Sequence, residues 1–125
     1  MSAGKKYDAG KAPVVQAVGW YFPRALMAVA QVSAAGAKKY NVEFEDKNWS
    51  RLDGAFKRYT DGLGRHLLLE GLEQYDTGRF DPTGQSGTQL LHAAQTAWNA
   101  LARLELLLEE GVPVENPQYL PPEET

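Results

Sequence analysis

Apolar residues recur at helical spacing in three runs, separated by stretches rich in polar residues, glycine and proline. The first run opens at Pro23, which suits the first turn of a helix because the N–H it lacks would go unbonded there anyway. From Pro23 to about Ala35, Leu26, Val29, Ala30 and Ser33 keep helical intervals. Gly36 is expected to interrupt or end this helix. The second run is expected to start at Ser50, whose hydroxyl would cap a backbone N–H three residues on, with Asp53 in the place of the usual glutamate. Leu52, Phe56, Tyr59, Leu63 and Leu67 mark its apolar face, and the pattern extends to about Asp76. The third run spans about Thr88 to Glu110, with Leu90, Ala94, Ala97, Leu101, Leu104 and Leu108 as the predicted core stripe.

The segments between the runs read as connections. Residues 1–19 have no sustained period and are predicted to form an extended arm, with Pro13-Val14-Val15 packing on the body. Tyr40 to Trp49 reads as a connector, and the Gly-, Pro- and Asp-rich stretch from Thr77 to Gly87 as a loop. The tail from Gly111 holds four prolines and three glutamates and should be irregular. Strand signals are weak throughout. The expectation is therefore an all-α chain with one domain over residues 1–125: an arm (1–19), a helical core (20–110) and a tail (111–125).

Polar residues change this picture on two helices. On the second, Arg58, Arg65, His66, Glu70, Glu73 and Asp76 fall on one arc at about 100° per residue. Glu70 lines up with Leu52, Phe56 and Leu63, so it is expected to point toward the core, where a carboxylate is costly unless paired or bound to metal. Glu70 and Glu73 form E-x-x-E, which on a continuous helix places two carboxylates one turn apart, within reach of one hard cation or two neighbouring ones. The second helix also carries Gly54, Gly62, Gly64 and Gly71, each costing about 1 kcal/mol against alanine. They point to close approach of another backbone or a ligand.

On the third helix, His92, Gln95, Asn99 and Arg103 form a polar stripe opposite the predicted core stripe. Such a stripe reads as a solvated face. If it instead faces Glu70 and Glu73, it completes a cleft of oxygen and nitrogen ligands of the kind helical bundles use for metals. Lys38 and Lys39 close the first helix, where they favour the helix dipole and could also hold phosphate. Asn48 and Trp49 precede the second helix, with Trp49 placed either to stack on a base or to pack. Lys5, Tyr7, Asp8 and Lys11 make the arm polar enough to close over a ligand.

Composition narrows the chemistry. The chain has 125 residues, 43% hydrophobic and 23% charged, with a net charge of −3. The acidic balance argues against a general nucleic-acid binder. Absence of cysteine excludes disulfides, thiolate metal sites and cysteine nucleophiles. No apolar run is long enough for a membrane span, and the polar N-terminus lacks the apolar core of a secretory signal, so a cytoplasmic location is expected. No phosphate-binding G-x-x-x-x-G-K-[ST] loop, dinucleotide fingerprint, zinc-protease H-E-x-x-H or nucleophile elbow is present.

An ordered set of segments carries a resemblance: K-Y-D-A-G-K at 6–11, G-A-K-K-Y at 36–40, N-W at 48–49, R-Y at 58–59, R-H-L-L at 65–68 and H-A-A-Q-T-A-W-N at 92–99. Together they resemble the phage and bacterial dATP/dGTP diphosphohydrolase N-terminal domain, itself similar to MazG-type pyrophosphohydrolases. The resemblance implies a MazG-like helical bundle, a homodimer or homotetramer, and Mg²⁺ or Mn²⁺ as cofactor. The implied reaction is hydrolysis of a (d)NTP, with dGTP, GTP or dATP as the implied purine substrate, to (d)NMP and pyrophosphate. MazZ-like members of this group serve phage nucleotide metabolism, which implies the host cytoplasm for a phage-encoded chain.

The MazG-type motif pairs E-x-x-E with a later E-x-x-D, often followed by asparagine four residues on. Glu70 and Glu73 match the first half. The second half falls on His92 and Gln95, with Asn99 at the asparagine position, so two acids are replaced. The loop from Thr77 to Gly87 also departs from the shorter D-P-E-S-G of relatives. By this resemblance Glu70 and Glu73 are the expected catalytic residues. Glu70, Glu73, Asp76 and His92 are the expected metal ligands, with Asp76 or His66 completing the shell where the acids are replaced. Lys38, Lys39, Asn48, Trp49, Arg58, Arg65 and Asn99 are the expected substrate contacts. The competing expectation, favoured by the replaced acids, is a non-catalytic helical module that binds nucleotides or other partners.

Overall fold

The structure, a computed structural model, describes residues 10–122. Among them lie three α-helices: α1 (Pro23–Tyr40), α2 (Ala55–Glu70) and α3 (His92–Glu109). No extended strand is present among the described residues, so the chain is all-α as the spacing predicts. α2 and α3 pack along each other, and α1 lies against α3. The Trp98 indole N–H donates to the Ser33 hydroxyl at 2.8 Å and pins α1 to α3. No helix of the described residues is long and apolar enough to cross a membrane.

Several boundaries differ from the sequence expectation, each for a local reason. Val15–Gly19 forms a π-helical turn where an extended arm was expected, while Lys5, Tyr7 and Asp8 lie outside the described residues. α1 runs through Gly36 to Tyr40 and ends at Asn41, which takes the left-handed conformation (φ 52°) that asparagine tolerates. The connector holds two 3-10 turns, Phe44–Asp46 and Asn48–Arg51. Ser50 is inside the second and its hydroxyl donates to the Lys47 carbonyl at 2.7 Å, so it does not cap α2. α2 starts at Ala55 instead, after Gly54.

The largest difference is the face that α3 buries. His92, Gln95 and Asn99, with 0%, 5% and 8% of their surface exposed, pack inward, while Leu101 and Leu104 stay about half exposed at 48% and 51%. Of the stripe expected to be solvated, His92, Gln95 and Asn99 are thus interior, while of the predicted core stripe Ala94 is buried as expected. Gly62 makes this possible: a Cβ there would lie 2.7 Å from Asn99 Oδ1, so only glycine lets the carboxamide lie against α2. Of the α2 glycines expected to mark close approach, Gly62 does so; Gly64 has open space around it.

Candidate functional site

α2 stops at Glu70, where Gly71 caps it, and not at Asp76. Glu73 and Asp76 therefore sit beyond the helix, and E-x-x-E does not lie along one helical face. Glu70 itself is exposed, contrary to the expectation that it faces the core. α3 correspondingly starts at His92, later than Thr88. What brings the polar residues together is a short antiparallel pairing between the two ends of the intervening loop. Tyr75 bridges Leu91. Asp76 N–H donates to the Leu90 carbonyl at 2.8 Å, Gln89 N–H to the Asp76 carbonyl at 2.8 Å, and His92 N–H to the Gln74 carbonyl at 3.0 Å. Further out, the Gly87 N–H donates to the Thr77 carbonyl at 3.2 Å. Side chains at Gly78 or Gly87 would collide with backbone at this neck.

The pairing sets Glu73 and Asp76 beside the first residue of α3. Glu73, Asp76 and His92 each offer a ligand atom, all within 4.8 Å of one another. His92 Nε2 lies 3.0 Å from Glu73 Oε2, and its Nδ1 lies 2.9 Å from Nδ1 of His66. The two imidazole rings tilt at 43° with centroids 5.1 Å apart. The Thr77 hydroxyl donates to Glu73 Oε1 at 2.5 Å, and the Thr88 hydroxyl to Asp76 Oδ2 at 3.2 Å. The Thr77 hydroxyl, foremost, and His92 hold the Glu73 carboxyl below its ordinary range. Burial pushes His66 down from the ordinary histidine value, against the pull of the Asp76 carboxylate.

These residues fit a divalent cation. Ligand atoms at right angles around an ion with bonds of about 2.1 Å stand about 3.0 Å apart, which is the separation of Glu73 Oε2 and His92 Nε2. The donor set is two carboxylates and one imidazole. Oxygen ligands suit Mg²⁺ and Mn²⁺, and imidazole extends the range toward later transition metals.

One turn further along α3, Gln95 and Asn99 line a cavity of about 390 Å³ between α1, the 3-10 turns, α2 and α3. Its wall includes Asn48, Trp49, Arg58 and Arg65. Trp49, Tyr59 and Trp98 meet edge to face with centroids 5.2 to 6.1 Å apart. The Tyr59 hydroxyl donates to the Trp49 carbonyl at 2.5 Å, fixing the turn that carries Trp49. Arg58 Nε donates to the Asp53 carbonyl at 2.9 Å. The Asn99 amide donates to the Gln95 carbonyl at 2.7 Å, and the Gln95 amide to the Leu90 and Leu91 carbonyls at 3.4 and 3.5 Å.

Five of the expected substrate contacts, Asn48, Trp49, Arg58, Arg65 and Asn99, thus share one cavity. Lys38 and Lys39 do not line it; they are exposed on the last turn of α1, with Lys39 Nζ 5.3 Å from the Tyr40 ring centroid. Tyr59 and Trp98 were missed by sequence reasoning. The signal for Trp98 is its place next to Asn99 in H-A-A-Q-T-A-W-N, and that for Tyr59 is its place in R-Y at 58–59, where it otherwise reads as an ordinary member of an apolar face.

No curated protein and no solved structure matches the chain. The family described as dATP/dGTP diphosphohydrolase, N-terminal, matches residues 1–113, a span that includes all of α1, α2, α3 and the loop that joins Glu73 and Asp76 to His92. The chain belongs to the dATP/dGTP diphosphohydrolase N-terminal family.

Proposed function

We propose that the chain hydrolyses a purine (d)NTP between the α- and β-phosphates, giving (d)NMP and pyrophosphate, with Mg²⁺ or Mn²⁺ held by Glu73, Asp76 and His92. The observation that carries the reading is the convergence of those three ligand atoms within 4.8 Å, one turn along α3 from a cavity lined by two arginines and an aromatic cluster. Glu70, exposed at the end of α2, is not among the three.

The cation would neutralise phosphate charge and make a water more acidic. The chain's own residues do the rest. Arg58 and Arg65 offer forked donors to phosphate oxygens. Trp49 offers a ring face to the base, with Trp98 and Tyr59 holding its position. Asn99, held by the Gln95 carbonyl, keeps its Oδ1 as an acceptor. The volume lies in the range of small-molecule sites.

We further propose that a second copy covers the outward leucines. The chain exposes 10520 Å², whereas a folded monomer of 13.8 kDa exposes about 6,600 Å². The irregular stretch after α3, residues 111–122, accounts for part of the excess. Even half of it exceeds the roughly 800 Å² that each partner gives to a standard interface. Leu101, Leu104 and Leu108 on α3 and Leu67, Leu68 and Leu72 at the end of α2 supply apolar surface for it.

Incubation with each (d)NTP and Mg²⁺ or Mn²⁺, followed by separation of the products, tests the reaction. Pyrophosphate and monophosphate are expected. Diphosphate with orthophosphate would move the cleaved bond, and no turnover with any nucleotide would leave a module that binds without catalysis. That second reading has one observation in its favour: Gln95, at the position of a family acid, spends its amide on the carbonyls of Leu90 and Leu91.

A further inference from the structure

The His66–His92 contact joins two like atoms, Nδ1 to Nδ1 at 2.9 Å, so one ring must donate there and the other accept. The partner on the far side of His92 decides which. An ionised carboxylate only accepts, so the 3.0 Å contact with Glu73 Oε2 places a proton on His92 Nε2. With one proton on each ring, His92 Nδ1 is then bare and His66 Nδ1 donates to it. The remaining nitrogen, His66 Nε2, carries a lone pair. It makes no hydrogen bond to a described residue and is not among the buried unpartnered atoms, so it reaches solvent. His66 does not itself line the cavity; its neighbour Arg65 does.

We propose that a divalent cation bound through His92 Nε2 reverses both tautomers, converting His66 Nε2 from a hydrogen-bond acceptor into a donor. This rests on the metal reading above. A ring that gives its Nε2 lone pair to a metal must carry its proton on Nδ1. His66 Nδ1 must then accept, and its proton must move to Nε2. The proton balance closes. His92 Nε2 releases its proton to solvent, the proton between the rings passes from His66 to His92, and His66 Nε2 takes one from solvent. Each ring keeps one proton, no net charge is created, and Glu73 stays a carboxylate.

The consequence is a positioning role for His66. Its outer nitrogen offers an N–H to an anion such as a phosphate oxygen when the cation is in place, and offers only a lone pair, which phosphate cannot use, when it is not. Cation and phosphate then favour one another through a group that need not ligate the cation.

The chain has only two histidines, so a ¹⁵N-histidine-labelled sample shows four ring nitrogens. Long-range ¹H–¹⁵N spectra of the full chain, recorded before and after addition of diamagnetic Zn²⁺ alone, read each tautomer directly. Before Zn²⁺, His66 Nε2 is expected in the pyridine-type range and His92 Nε2 in the pyrrole-type range. After it, His66 Nε2 is expected in the pyrrole-type range, with His92 Nε2 showing metal coordination. Coordination at His92 with no change at His66 would overturn the relay and leave the metal site standing. No change at either ring would overturn both.

Discussion

The backbone of Gly62 on α2 lies against the carboxamide of Asn99 on α3, with room for hydrogen but not for carbon. Gly62→Ala gains up to about 1 kcal/mol of helix propensity. It also forces a contact whose relief costs about 1–3 kcal/mol in a packed interior. A net loss is expected, read as a fall of several degrees in Tm. Gly64→Ala, which meets nothing within 4 Å, should gain stability instead. Equal effects of the two substitutions in thermal melts would contradict this packing.

Glu73→Gln keeps the shape of the side chain but removes the carboxylate that meets His92 and Thr77. Turnover is expected to fall by more than the roughly 10–100-fold that loss of an outer-sphere partner costs in metal sites. Stabilisation of the fold by Mn²⁺, measured as a Tm shift, should be lost with it. Glu70→Gln should keep most of both. Loss of both in the Glu70 variant, with retention in the Glu73 variant, would return the site to the end of α2.

Acid should weaken the fold in two stages. Burial holds His66 below its ordinary value of 6.5, so the unfolded chain takes up that proton first. Its contribution is complete above about pH 6.5 and declines as pH falls from there toward the folded value. Glu73 is held below its ordinary 4.5, so its contribution is present above that value and is lost as pH falls through the lower folded one. Melts between pH 8 and pH 3 should show a decline beginning near 6.5. His66→Gln should flatten its upper part, and an unchanged profile in that variant would count against the assignment.

Arg65 lines the cavity. Arg65→Ala is expected to raise KM for the nucleotide at least tenfold, since hydrogen bonds to charged groups contribute about 1.5–3 kcal/mol. Nucleotide should also quench tryptophan fluorescence, and Trp49→Phe should remove most of that signal. Quenching that survives in Trp49→Phe would move the base away from this turn.

The outward leucines predict assembly. Light scattering on the purified chain should report a dimer or larger species, and Leu104→Glu should shift it toward monomer with a lower Tm. A wild-type monomer at micromolar concentration would rule out the second copy.

Periodicity made the three helices legible because helical spacing survives whatever the helix faces. It misjudged the sidedness of α3 because spacing alone does not say which face of a helix meets its neighbours, and Leu101 and Leu104 stay about half exposed while His92, Gln95 and Asn99 are buried. The candidate site was legible in its residue types, and Glu73, Asp76 and His92 were all expected. Their geometry was not. It depends on α2 ending at Glu70 and on backbone pairing of Tyr75 with Leu91, neither of which has a sequence period. Glu73 and Asp76 lie past the end of α2, so an angle computed along a helix to Asp76 has no meaning for them.

The paired neck between Asp76 and Gln89 also bears on how such chains can diverge. The three candidate ligand atoms take their positions from the neck, and the tip beyond Gly78 and Gly87 contributes none of them. Closing a longer loop on a fixed base costs little, about 0.6 kcal/mol per doubling of length. The tip is therefore a place where insertions, deletions or a grafted peptide can be accepted without disturbing the register of the ligands. Differences in loop length between family members need not signal differences in chemistry.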